Sequence, residues 1–378
     1  MTFPQHASAD KVASDLGLGD RSRSDGCPGA LSFHHAEDGA IGRVRFPGGL
    51  ISPAQLTEFV NIASELGDGD IHLTTRGNVQ VRGIADTDRF SQRVLAAGFV
   101  PSTAHDKIRN IIASPMVGLE AAVRELDALL LDSEVLAGLS GRTLFGLDGG
   151  DGAILAQQPD FGVCYRDGQA HLILGGQLVG RKLTNPATQV AELARAWQEN
   201  RGESWRVAER PELVTELLSV IDAAPSNVTV PHGLPKHIGW FDREDNSVSL
   251  GAGLPFGIIP AKVAQLLVAV EKPVQVTPWH SVILHDLDEG EAEAVAKVLA
   301  PMGLIFDAHS TNLLVTACTG LPGCAKSRSD VRRDAAMLMS QGVAERTHFS
   351  GCERRCGHPR VAYVDYLATG DGEYEVTD

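Results

Sequence analysis

The chain has 378 residues, 43% hydrophobic and 21% charged, enough for two or three core units at roughly 100–200 residues per domain. Its 33 basic and 48 acidic residues give a net charge of −15, which excludes a nucleic-acid partner, because neutralising phosphates requires a basic face. No apolar run approaches the ~18 residues of a membrane span.

Residues 1–25, rich in Ser, Asp and Gly, read as a loosely held tail. They lack the basic start and apolar stretch of a secretion signal, so a cytoplasmic, reducing setting is expected. There, cysteines read better as ligands than as disulfides.

A first unit spans 26–100. It opens with a strand-like run, IGRVRFPGG (41–49), followed by a helix over 52–67. Ser52 and Pro53 start that helix, and Leu56, Phe59, Val60 and Ala63 form its apolar stripe. A strand over 70–84, broken by a Gly-Asn turn, precedes a helix over 86–98 that Gly98 closes. The segment 101–235 carries KIRNIIASPMVGLE (107–120), amphipathic helices near 119–139 and 187–200, and a β-rich piece at 159–180.

The order of the first unit then returns in 236–303. Strand and turn fall at 246–260, helix at 261–272, a strand with a central turn at 273–287, and a helix at 289–303. Aligning HLTTRGNVQV with VQVTPWHSVI sets Thr74 over Thr277, Arg76 over Trp279 and Gly77 over His280. A repeat of this length predicts two pseudo-symmetric α+β half-domains that pack together and share a site.

The last segment, 304–378, holds Cys318, Cys324, Cys352 and Cys356 as C-x5-C and C-x3-C pairs, with a helix over 329–346 between them. Four soft thiolates suit one metal centre, zinc or an iron–sulfur cluster. The five-residue gap is wide for zinc, and Gly320, Pro322 and Gly323 let the backbone wrap an inorganic core. A [4Fe–4S] cluster is the leading expectation; zinc and plain buried cysteines are its rivals. Cys27 and Cys164 read as structural thiols. The chain shows no G-x-G-x-x-G after a strand, no Walker loop and no G-x-S-x-G.

The cysteine spacing, the duplicated half-domain, HLTTRGNVQ and RNIIASPMVG together resemble the sirohaem nitrite and sulfite reductase superfamily. Within it, the short length and the run CPGALSFHHAEDGAIGRVRFPGG resemble the precorrin-3B synthases, oxygen-dependent enzymes of cobalamin biosynthesis. The likeness extends from Cys27 to about Tyr366.

It implies an α+β fold of two ferredoxin-like half-domains plus α/β segments carrying the iron–sulfur site. It also implies that the four cysteines are the cluster ligands, with Cys356 between cluster and tetrapyrrole. Arg76 and Arg109 would hold tetrapyrrole carboxylates or the anionic substrate, as suits a planar fork that never loses its charge. Arg45, Lys236 and His280 are further candidates for contacting substrate, and Trp279 offers either an aromatic face for a macrocycle or a core side chain. A mononuclear non-haem iron would draw on His232, His237, His280, His309 and His358, among which no spacing chooses.

Reductases of the superfamily carry a Lys-x-Lys where Asp160 and Gly162 stand here. A carboxylate at that place would repel sulfite or nitrite. The expected activity is therefore hydroxylation of precorrin-3A at C20 with γ-lactone formation. It would use dioxygen and electrons from a ferredoxin or an NAD(P)H-dependent reductase. The alternatives are a sirohaem-dependent sulfite or nitrite reductase, and a non-catalytic metal-binding scaffold.

Overall fold

The computed structural model describes residues 25–231, 237–359 and 361–377. The tail expected over 1–25, all but its last residue, lies outside the described residues, as do Lys236 and His232. Twenty strands and eight α-helices of the described residues form four sheets.

In the first half, β1 (His34–Ala36), β2 (Gly39–Val44) and β3 (Leu50–Ile51) lead into α1 (Pro53–Leu66). The helix starts where expected because Ser52 and Gln55 close a reciprocal capping box, with Pro53 in the first turn. Its predicted stripe is buried, and Phe59 meets Phe46 and Phe99 edge-on at 6.0 Å each. Then come β4 (Ile71–Leu73), β5 (Val79–Ile84) and α2 (Thr87–Ala96), the last capped by Asp86.

The first α/β segment contains β6 (Ile111–Ala113), α3 (Glu120–Leu131), β7 (Phe145–Asp148), β8 (Phe161–Arg166), β9 (Gln169–Leu174) and β10 (Gln177–Leu183). It continues with α4 (Pro186–Asn200), α5 (Val214–Leu218) and β11 (Ala224–Pro225). The helix expected near 119–139 stops at Leu131, because the chain turns there to bury Leu136 and Leu139 in the same core.

The second half repeats the first as β12 (Gly239–Asp242), β13 (Val248–Gly253), β14 (Ile258–Ile259), α6 (Ala261–Ala269), β15 (Val274–Val276), β16 (Ser281–Leu287) and α7 (Glu289–Leu299). The halves do not close on themselves. The first sheet runs β1-β2-β5-β4-β14 and the second β12-β13-β16-β15-β3, so each half lends the other its edge strand. Ile258 pairs with His72, and Leu50 with Gln275. One continuous core joins both halves. The exchange satisfies two sheet edges at once and ties the halves into one body.

The final segment holds β17 (Val315–Ala317), α8 (Val331–Gln341), β18 (Thr347–Ser350), β19 (Val364–Gly370) and β20 (Glu373–Thr377). Its helix ends before the expected 346, at Gly342, which adopts φ 80°. Three parallel strands followed by an antiparallel one, β17-β18-β19-β20, repeat the pattern of β6-β7-β8-β9. Gly149 N donates to Ser114 Oγ at 2.9 Å, as Gly351 N donates to Cys318 Sγ at 3.2 Å. The internal repeat therefore reaches into the α/β segments, where sequence similarity had faded.

Candidate functional site

The aligned turns have the same construction. Thr74 N donates to Asn78 O at 2.9 Å, and Thr74 Oγ1 accepts from Arg76 N and Asn78 N. Thr277 N donates to Ser281 O at 3.0 Å, and Thr277 Oγ1 accepts from Trp279 N. Gly77 at φ 62° and His280 at φ 54° occupy the same left-handed position. The two turns touch, with Pro278 and Val276 O within 4 Å of the place a Gly77 Cβ would take.

On one side of this junction guanidiniums gather. Arg76 Nη1 donates to Gly141 O at 3.1 Å. Burial, then the nearby Arg206, pulls its pKa down. Arg45, 3% exposed, donates to Asn110 Oδ1, Asp106 O and Pro28 O. Burial, then Arg43, lowers its pKa to about 9. Arg43 is held down chiefly by burial, with Cys27 and Asp25 nearby acting in the opposite direction. Arg142 lies 4.7 Å over the Trp205 ring, a cation–π contact. Asn110, wholly buried, ties the group together: it accepts from Arg45 and Asn78 and donates to Lys107 O, Gly141 O and Thr143 O. Crowded cations with depressed pKa values favour an anionic ligand, which would relieve their mutual repulsion.

Two expectations need correction here. Asp160 does not present its charge: it is 1% exposed, accepts from Leu144 N and Val207 N, and lies 2.6 Å from Arg206 Nε. An arginine 46 residues later neutralises it, so it would not repel an inorganic anion. Gly162 nonetheless has no room for a lysine, since a Cβ there would fall 2.2 Å from Gly146 O. Arg109 is already paired within the protein. Its fork is filled by Asp127 at 2.7 and 2.6 Å, with side-chain exposures of 11% and 16%.

Trp279 packs on Ile112, Leu144 and Ile154, with the His237 ring 5.6 Å away. His358 stacks on Tyr363, and His309 is exposed. His280 faces Arg332 of α8.

The four late cysteines are free thiols in one neighbourhood. Burial first, then the other thiols, raises the pKa of Cys318, and the same holds for Cys356. A cation bound among them would reverse that penalty. Among the described residues, Asp68, Asp70 and His72 are the one set of three or more His, Cys, Asp or Glu donors lying within 4.8 Å of one another. No three of the four sulfurs lie within 4.8 Å of one another, so they are not gathered at the about 3.8 Å separations that ~2.3 Å bonds to one tetrahedral zinc impose. Wider-set thiolates are what a multi-atom iron–sulfur core takes. By the same measure, His237, His280, His309 and His358 do not converge on a ready-made mononuclear site.

The loop carrying Cys324 rests on the first half-domain. Arg82 of β5 grips Asp38 with Nε and Nη2, both at 2.8 Å, and also donates Nη2 to Gly323 O at 2.9 Å. Arg332 Nε donates to Cys318 O. Fully buried His348 lies beneath, bonded through Nδ1 to Thr316. Sequence reasoning missed Arg82, Arg43, Arg206, Asn110 and His348. Only the R-V-R spacing of Arg43 and Arg45 could have drawn attention to one of them.

Residues 34–90 match the nitrite/sulfite reductase ferredoxin-like half domain. The structure of the Mycobacterium tuberculosis NirA protein superposes with a TM-score of 0.66 at 18% identity, over 87% of this chain and 70% of that one. The chain is similar to members of the nitrite and sulfite reductase superfamily. Two relatives illustrate that similarity. A ferredoxin–nitrite reductase of Synechococcus elongatus is 25% identical, with 86% of this chain and 76% of the relative aligned. A precorrin-3B synthase of Sinorhizobium sp is 24% identical, with 98% and 86% aligned. These relatives are oxidoreductases, which supports an enzyme of that broad class here. No helix among its described residues is long and apolar enough to cross a membrane.

Proposed function

We propose that the chain is an oxygen-dependent tetrapyrrole hydroxylase, converting precorrin-3A to precorrin-3B. The observation that carries this reading is the arginine cluster around Arg76, which suits a ligand bearing several carboxylates better than a single small oxyanion. The sequestering of Arg109 by Asp127 and the missing lysines at 160 and 162 point the same way. The near-complete alignment with a precorrin-3B synthase supports it.

In this reading Arg45 and Arg76 anchor acetate and propionate groups, and the wall at Trp279 orients the ring. Fixed geometry is what selects one meso carbon among several similar ones. One atom of dioxygen enters at C20 and the other leaves as water, consuming two electrons and two protons; a ring-A acetate closes the lactone. Cys318, Cys324, Cys352 and Cys356 would hold a [4Fe–4S] cluster, which supplies single-electron transfer when bound. Electrons come from a ferredoxin or an NAD(P)H-dependent reductase.

The nitrite reductase alignment and the neutralised Asp160 favour a second reading, a sirohaem-dependent nitrite or sulfite reductase. Anaerobically purified protein separates the two. The hydroxylase reading expects iron and acid-labile sulfide without tightly bound sirohaem, and conversion of precorrin-3A when dioxygen and a reductant are given. Stoichiometric sirohaem with turnover of nitrite or sulfite would overturn it.

A further inference from the structure

We infer that His280 contacts the tetrapyrrole directly from the second half-domain, and that the fold holds it there at the expense of stability. This deepens the proposed function and rests on it. In the first turn the corresponding position is Gly77, and both residues are left-handed, at φ 62° and 54°. Glycine adopts that backbone freely, whereas a histidine there is strained. Strain of this kind persists where the surroundings impose it and clusters at ligand sites.

The surroundings do impose it. His280 O accepts from Leu254 N at 3.0 Å, fixing the turn to the end of β13. Its ring lies against Gly257, where a Cβ would come within 2.8 Å of the imidazole. Gly257 itself stands at φ 68°, so a bare backbone leaves the room the ring occupies. On the other side are Arg332, which donates to Cys318 O, and beyond it His348.

The half-buried ring makes no hydrogen bond among the described residues. Burial and Arg332 lower its pKa to about 4, so it offers one N–H and one lone pair at neutral pH. A packing residue would need neither the strained backbone nor two free ring nitrogens. The first turn offers Arg76 and this one His280, and because the turns touch, a macrocycle held by one reaches the other.

The test compares wild type with His280→Gly and His280→Asn. Sirohydrochlorin, a metal-free polycarboxylate of the same ring class, serves as probe by fluorescence titration, and thermal unfolding is followed alongside. His280→Gly is expected to hold or raise the unfolding midpoint while weakening sirohydrochlorin binding at least tenfold. His280→Asn, which tolerates the left-handed backbone and can hydrogen-bond, is expected to recover part of the affinity. If His280→Gly binds as wild type does, the inference is wrong whatever its midpoint. If wild type itself fails to bind the probe, the tetrapyrrole reading falls, and the inference falls with it.

Discussion

Arg76 and Asn110 donate to the same oxygen, Gly141 O, at 3.1 and 3.0 Å. One residue lies in the first turn and the other at the entrance to β6, so a single carbonyl registers the half-domain against the α/β segment. Arg76 thereby holds its place using one nitrogen of a five-donor fork, leaving the rest for a ligand. Replacing Arg76 by Ala is expected to weaken tetrapyrrole binding by about 1.5–3 kcal/mol, the range for a charged hydrogen bond with loss of its partner. Stability should hold or rise, because Arg206 and Arg43 lose a repulsive neighbour. Titration with sirohydrochlorin alongside urea unfolding checks both halves. A large stability loss with unchanged affinity would make Arg76 structural.

Asn110 is the opposite case. Its amide accepts from Arg45 and Asn78 inside the core, so Asn110→Ala strands two buried donors. At roughly 1–3 kcal/mol for each unsatisfied group, a loss of about 2–6 kcal/mol in urea unfolding is expected. Arg45, released from its acceptor, should then hold carboxylates less well, so affinity falls too. A stability change below about 1 kcal/mol would show that the hub is dispensable.

For Arg109 the expected outcome is structural. Arg109→Ala leaves Asp127 nearly buried without its counter-charge. Breaking a buried pair from one side destabilises by up to about 3–5 kcal/mol, and some residual exposure reduces that here. Sirohydrochlorin affinity should be unchanged. A selective loss of affinity would return Arg109 to the ligand site and strengthen the reductase reading.

These contrasts show where sequence stops being informative. The T-x-R-G-N and T-P-W-H-S turns were legible because a threonine hydroxyl and a left-handed fourth residue are local requirements. Ser52 with Pro53 was legible for the same reason. Asp160 was misread because its neutralising partner, Arg206, comes from the segment that follows α4. The exchange of β3 and β14 was hidden, since a two-residue strand carries no periodicity and its partner lies in the other half. The cysteines announced themselves by spacing, whereas Arg82 reaches Gly323 across 241 positions. Chemistry written in neighbouring residues was readable, and chemistry assembled by packing was not.

Arg82 gives the sharpest test of how the cysteine site is held. Cys318→Ser should lose most iron from anaerobically reconstituted protein and Cys27→Ser should keep it, because Cys27 lies beside Arg43 rather than with the other four thiols. Equal loss in both would overturn the ligand assignment. Arg82→Met keeps every sulfur but removes the donor to Gly323 O and leaves Asp38 unpaired. Iron should still be incorporated at the wild-type stoichiometry, because all four ligands remain. A chelator should then extract it several-fold faster, because the loop between Cys318 and Cys324 has lost a charged anchor to β5. Tetrapyrrole affinity should change little, since Arg82 is not among the guanidiniums around Arg76. Extraction at the wild-type rate would mean that Arg332 and the turn at Gly320 hold the loop without help from the first half-domain.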